Sequence, residues 1–224
     1  MKSNYNKKND SVQYRDRETL MLDFQLTTRT NKITKVPIIE NYNVVGPLPS
    51  KMIAFHESIR SGVKDYDAIV HFYENDYLFI RLFRNPTKYI PILRKYRYVI
   101  SPDLSQYIEM PYYSRFANNC HNKAMAQFLQ NNGINIIANV TWSKPDSYNY
   151  CFDGIPVGTI IAINSNGVSS HLDSIYLWHK GYNEALKRLK PSLIIRYGCK
   201  MSDENEDISI YYENGYLRRM HHGS

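Results

Sequence analysis

Five short apolar runs decide the fold: DAIVHFY (67–73), YVISPDLS (98–105), INIIANVTW (134–142), GTIIAINSNG (158–167) and SLIIRYG (192–198). Each is rich in β-branched residues, ends in polar or turn-forming residues, and is separated from the next by helix-patterned sequence. Runs of this kind joined by crossover helices predict consecutive parallel strands. The third run is apolar almost throughout, as expected of a strand covered on both faces. The fold class expected is therefore α/β, a predominantly parallel sheet with crossover helices. A partial TIM-like barrel and an open sheet share this pattern. A complete eight-stranded barrel normally takes about 250 residues, which makes 224 residues short for one.

Between the strands the helical signals are local and physical. Leu78, Phe79, Leu82 and Phe83 recur at helical spacing after a cap at Asn75 or Asp76, and Asn85-Pro86 stops that helix. A short helix follows around Tyr89–Tyr96. Phe116, Cys120, Ala124 and Phe128 repeat every fourth residue, with Gly133 as the stop. Ile175, Trp178, Tyr182, Leu186 and Leu189 mark a further helix opened by Asp173.

Outside this region the pattern loosens. Residues 1–18 are polar, aperiodic and expected to be mobile. Residues 19–66 read as an irregular segment punctuated by Pro37, Gly46, Pro47 and Pro49, with one candidate strand in LMLDFQLTT (20–28). Residues 67–200 form the α/β core. Residues 201–224 read as a small C-terminal hairpin with Asn214-Gly215 as its turn, followed by a tail.

Composition excludes some classes. Apolar content of 43% and charged content of 22% are ordinary for a globular chain. Nothing approaches the roughly 18 consecutive apolar residues of a membrane span, and the N-terminus lacks the apolar core of a secretory signal. A cytoplasmic location is the expectation, with no membrane partner. Three cysteines without a CxxC pair fit neither a disulfide framework nor a structural zinc site. Cys120 beside His121 is a poor nucleophile pair, because helix neighbours point about 100° apart. The formal charge of +7 permits a phosphate-rich partner without specifying one. Twenty tyrosines, with abundant Lys, Asn and Ile, fit an AT-rich genome.

In parallel sheets ligands collect at the carboxyl ends of the strands. Asp103, just past the second run, is the leading catalytic candidate, as a base or as the carboxylate that would hold a divalent metal if one is used. Its plainer use is as a helix cap. His71, at the end of the first run, is the second catalytic candidate, although a histidine there more often makes a core hydrogen bond. Asn139 shares its side of the strand with Thr141 and could read a polar ligand, and Trp142 could stack on a ring. Ser165 and Asn166 lie in a turn that weakly resembles an anion nest. Asn119, Lys123 and Gln127 form a polar stripe at i, i+4 and i+8, with Arg115 one turn earlier. Asn119 is the ligand-binding candidate among them, while such a stripe is usually a solvated face. No HExxH helix, GxSxG elbow or paired carboxylates of glycosidase type occur.

VHFYENDYLFIRLFRNPTKYI (70–90), VISPDLSQYIEMP (99–111), GINIIANVTWSKPDSYNYCFDGIP (133–156) and IAINSNG (161–167) together resemble a bacterial and phage family, the domain of unknown function four-four-one-seven. The resemblance spans about residues 45–200 and includes His71, Phe72, Asp76, Asp103, Asn119, Asn139, Trp142, Ser147, Phe152, Asp153, Gly154, Pro156 and Gly167. Two positions depart from the family pattern. His121-Asn122-Lys123 replaces an arginine after the helix asparagine, and Asn164-Ser165-Asn166 replaces a serine and a threonine before the turn glycine. The resemblance implies a phage, plasmid or other mobile-element origin in a low-GC bacterium and no particular activity. The functional expectation is a protein that binds or acts on a phosphate-bearing nucleotide or nucleic acid at the strand ends. The alternative is a non-enzymatic phage protein that grips a host protein or sequesters a small ligand, in a host-takeover or anti-defence role.

Overall fold

The computed structural model describes residues 29–41, 44, 46–62, 65–168, 172–202 and 205–212. The candidate strand at 20–28, the N-terminal 18 residues and the Asn214-Gly215 turn lie outside them. Seven strands make one sheet whose spatial order follows the chain: β1 (Met52–Ala54), β2 (Ile69–His71), β3 (Tyr98–Ile100), β4 (Ile136–Asn139), β5 (Ile160–Asn164), β6 (Leu193–Tyr197) and β7 (Ser209–Tyr212). Every neighbouring pair is parallel. All five expected strands are present, and the sheet curls into a half-barrel.

Two strands flank those five. β1 lies inside the segment read as irregular, because three residues are too short to display alternation and Pro47 and Pro49 mask the approach. At the other end, Ser209–Tyr212 pairs in parallel with β6, Ile195 opposite Ile210 and Tyr197 opposite Tyr212. The arm expected to open a hairpin is therefore the sheet's seventh strand.

The helices are α1 (Phe55–Ser58), α2 (Asp76–Arg84), α3 (Pro86–Leu93), α4 (Tyr112–Asn131) and α5 (Leu172–Leu189). Pro86 ends α2 and opens α3 at the first helical position, where a missing N–H costs nothing. Alternation along the strands sorts two cores. Val70, Val99, Ile136, Ala138, Ile161, Ile163 and Ile194 face the helices and meet Phe79, Leu82, Met125, Leu129 and Leu189. Ile69, Tyr98, Ile100, Ile137, Ala162 and Ile195 line the concave side. A half-barrel leaves that side open; here Val44, Leu48 and Met52 pack into it. The Tyr212 hydroxyl donates to the Pro49 carbonyl at 2.5 Å, tying the last strand to the segment before the first.

The polar stripe on α4 is buried. Arg115, Asn119, Lys123 and Gln127 are each at most 4% exposed, which corrects the expectation of a solvated face. Lys123 Nζ donates to the carbonyls of Tyr150, Cys151 and Asp153 at 3.0, 3.0 and 2.6 Å. Gln127 donates to the carbonyls of Arg29 and Ile38 and accepts from the Arg29 N–H. Arg115 makes a two-pronged ion pair with Asp146 at 2.9 and 2.7 Å. Both segments clamped this way meet at Gly154. Its φ of +73° is left-handed, and a Cβ there would overlap the Pro37 carbonyl. The helix therefore holds irregular backbone that has no ladder of its own to satisfy it.

Candidate functional site

Because all strands run the same way, their carboxyl ends, the loops after them and the starts of the crossover helices share one rim. A cleft of about 960 Å³ opens there. Its floor is built by alternation. Tyr73 follows β2, Asp103 follows β3, Asn139 ends β4 with Thr141 two residues on, and Asn164 ends β5. The Asp103 carboxylate accepts from Thr141 Oγ1 at 2.5 Å and from Asn139 Nδ2 at 2.8 Å. The Asn139 side-chain Oδ1 accepts from the Tyr73 hydroxyl at 3.0 Å. The Asn139 backbone N–H donates to Ser101 Oγ at 2.8 Å, which fixes the residue at the strand end.

Burial pushes the Asp103 carboxyl up to about 6, against the lowering effect of hydrogen bonds from Thr141 and Asn139; the nearby charge of Asp76 adds to the rise. Asp103 can therefore exchange a proton near neutral pH. Burial also raises the Tyr73 phenol, which keeps it a donor.

The wall after β3 is held from two sides. Asn122 accepts from the Leu104 N–H at 2.9 Å, and Asn118 donates to the Ser105 carbonyl at 2.7 Å. The Asp76 carboxylate, at the start of α2, accepts from Ser105 Oγ at 2.9 Å. Gln106, Tyr107, Ile108 and Glu109 continue the wall. Opposite stand Trp142 and Trp178, with ring centroids 5.9 Å apart. Gly181 on α5 makes room for this arrangement, since a Cβ there would overlap the Trp142 indole. The carboxylates lining the cleft are Glu74, Asp103 and Glu109, and no lysine or arginine lines it among the described residues.

The expected site residues separate into three groups. Asp103, Trp142 and Asn166 line the cleft, with Asn139 in its floor network. His71 and Ser165 lie beneath it and serve the framework. His71 is 4% exposed, its ring 4.5 Å from that of Tyr197, and its Nδ1 accepts the Tyr73 N–H at 3.2 Å. Burial, reinforced by the charge of His56, lowers His71 to about 3, so it is neutral and carries its proton on Nε2. Ser165 Oγ donates to the Cys199 carbonyl at 2.6 Å, joining the turn after β5 to the one after β6. The Asn166 N–H is taken by Asn164 Oδ1 at 2.8 Å, so the turn spends that amide on itself rather than on an anion. Asn119 stands apart. It is buried on α4 and does not line the cleft.

Sequence reasoning missed Tyr73, Glu74, Gln106 and Trp178 as cleft residues. Tyr73 was reachable, since it shares the side of His71 by alternation. Glu74, just after β2, accepts from the His56 backbone N–H at 3.1 Å and also pairs with the His56 ring, a contact between a loop and the short helix α1 with no sequence signal. Burial raises the Cys120 thiol and drives Cys151 to about 12, which leaves those two thiols protonated and poor nucleophiles. No group of three or more His, Cys, Asp or Glu side chains is placed to hold a metal among the described residues. Nor, among them, is any helix long and apolar enough to cross a membrane.

A curled half-barrel of parallel strands with a polar cleft at their carboxyl ends defines an α/β protein of the TIM-like architectural class. Residues 29–214 match the family described as a domain of unknown function, DUF4417, and the chain belongs to that family. The Gene 1 proteins of Mycobacterium phages L5 and D29 are each 30% identical over 139 residues. The match covers 60% of this chain, and 61% and 52% of those two proteins, so the chain spans little more than half the length of its phage relatives. No solved structure matches it. The chain is thus a phage-associated protein of a family without an assigned function.

Proposed function

We propose that the cleft binds a ligand bearing a nucleobase, a nucleotide or an end of a nucleic acid, with Asp103, Asn139 and Thr141 reading polar groups and Trp142 offering a ring face. The observation that supports it is the network at the strand ends. A carboxylate, an amide and two hydroxyls converge beside an indole, at the place where such sheets take ligands. The phosphate part of the expectation takes a different form here. With carboxylates and no lysine or arginine lining the cleft, a phosphate would lie at the rim or be bridged by a divalent cation held by Asp103. Tyr107 in the β3–α4 loop lines the cleft and is exposed, and Tyr77, Tyr113 and Tyr176, near the starts of α2, α4 and α5, are exposed as well; such rings suit stacking on single-stranded bases. Asp103 is the group through which a proton would pass in any turnover.

Calorimetric titration with nucleosides, nucleoside monophosphates and short single-stranded oligonucleotides, with and without magnesium, tests the proposal. Saturable binding that Asp103→Asn weakens about tenfold or more supports it. Binding unaffected by that substitution, or none by any member of the panel, rejects it. The same exposed tyrosines support a second reading, in which the rim docks a host protein. A stoichiometric host partner whose binding needs Tyr77 and Tyr113 but not Asp103 would favour that reading.

A further inference from the structure

Deep in the cleft wall sits a polar group with nothing to bind. Gln106 is 8% exposed, and neither its amide oxygen nor its amide nitrogen has a hydrogen-bond partner. The backbone just before it is immobilised by Asn118, Asn122 and Asp76. Across the cleft two more buried groups that line it are in the same condition, Trp178 Nε1 and Ser143 Oγ. Buried polar atoms are almost always paired, because an unmade hydrogen bond in a dry site costs more than a made one returns. Three unpaired groups lining one cleft are therefore a site kept ready for something else.

Resting on the nucleobase reading above, we infer that Gln106 is the specificity-determining residue of the cleft. It takes a planar heterocycle whose edge carries a donor beside an acceptor, with Trp178 Nε1 and Ser143 Oγ supplying further hydrogen bonds. A carboxamide presents a donor and an acceptor side by side at every pH, which is how glutamine pairs with an adenine edge. Tyr107, next in the chain and 63% exposed, is the adjoining ring face. Both amide atoms are shielded from solvent, so the Gln106–Glu109 wall moves outward as the ligand enters, while Leu104 and Ser105 stay clamped. The shield also makes the residue selective, because a ligand lacking the edge leaves the amide unpaired.

The test compares ligands that differ only at that edge, on the full chain. Uridine is titrated against 3-methyluridine, and adenosine against purine riboside, with the wild type and with Gln106→Met. The expected result is a loss of about tenfold or more in affinity when the edge is removed, and disappearance of that discrimination in Gln106→Met. In the absence of ligand Gln106→Met should also raise Tm by about 2–4 °C, because it removes an unpaired buried amide while keeping the volume. Discrimination that survives Gln106→Met, or a Tm that falls, overturns the inference and leaves the Asp103-dependent reading intact. Absence of binding by every nucleoside overturns the inference, and absence of binding by the nucleotides and oligonucleotides as well overturns the reading on which it rests.

Discussion

The buried stripe of α4 and the buried polar groups lining the cleft treat their polar atoms in opposite ways. On α4, Lys123 and Gln127 are saturated by backbone carbonyls and an N–H from two irregular segments, and Arg115 by Asp146 and the Met110 carbonyl. In the cleft, Gln106, Ser143 and Trp178 keep donors and acceptors unpaired. Saturation marks a framework, because each partner is already spoken for. Unpaired groups in a concave site mark a place where stability has been given up for recognition. Asn119 is the instructive exception on the helix, since its Oδ1 lacks a partner among the described residues although it lies outside the cleft lining.

The comparison breaks most easily at Lys123. Burial lowers its ammonium to about 8, still protonated at neutral pH, and removing it takes a donor from three carbonyls, of which Tyr150 keeps the Asp153 N–H. Lys123→Met should cost about 3–5 kcal/mol, read from urea unfolding. A loss below about 1 kcal/mol would mean that water replaces the lysine and that the stripe is not a clamp.

Next in size is Gly181→Ala, which tests whether framework and cleft are separable. The added Cβ would overlap the Trp142 indole, and overpacking of this kind costs about 1–3 kcal/mol. Because Trp142 lines the cleft, the substitution should also weaken ligand binding and shift tryptophan fluorescence. Unchanged fluorescence would show that the helix yields instead of the indole.

The fold was legible because its evidence is periodic, and the site was only half legible because its evidence is not. Strand alternation and β-branched runs located β2 to β6, and the shared strand direction placed Asp103, Asn139 and Trp142 at one rim. The α4 stripe misled for a definite reason. Hydrophobic periodicity assumes that polar residues seek water, whereas Lys123 and Gln127 found backbone carbonyls in segments with no regular structure. Gln106 lies in a loop without period, and nothing in SPDLSQYIEM distinguishes it from a solvent-exposed glutamine. The His56–Glu74 contact joins α1 to a loop eighteen residues on and was equally silent.

Asp103→Asn should sharpen the cleft side of the comparison. A carboxyl whose folded value lies near 6, above its usual 3.8, binds a proton more tightly folded than unfolded. Its contribution is therefore full below pH 4 and is lost as the pH rises through 6. The asparagine variant is spared that loss. The two proteins should be equally stable near pH 4, and at pH 7 the variant should lead by about 1–2 kcal/mol, a figure discounted for the residue's partial exposure. A variant less stable at pH 7 would place Asp103 with the saturated framework.

The smallest expected effect is none at all, and it belongs to His71. With its folded value near 3, its ring should stay neutral from pH 8 down to pH 5, and its NMR resonances should not move across that range. Its linkage runs opposite to that of Asp103. The unfolded chain takes up a proton near 6.5 that the folded chain refuses, so His71 stabilises increasingly as the pH rises from 3 to 6.5. Between pH 4 and 6 the two groups pull in opposite directions and flatten the stability profile. His71→Phe should unmask the downward slope due to Asp103, and Asp103→Asn the upward slope due to His71. Were the His71 resonances to titrate near 6.5, the ring would be reachable by water. The floor beneath Tyr73 would then belong to the open cleft rather than to the framework that holds it.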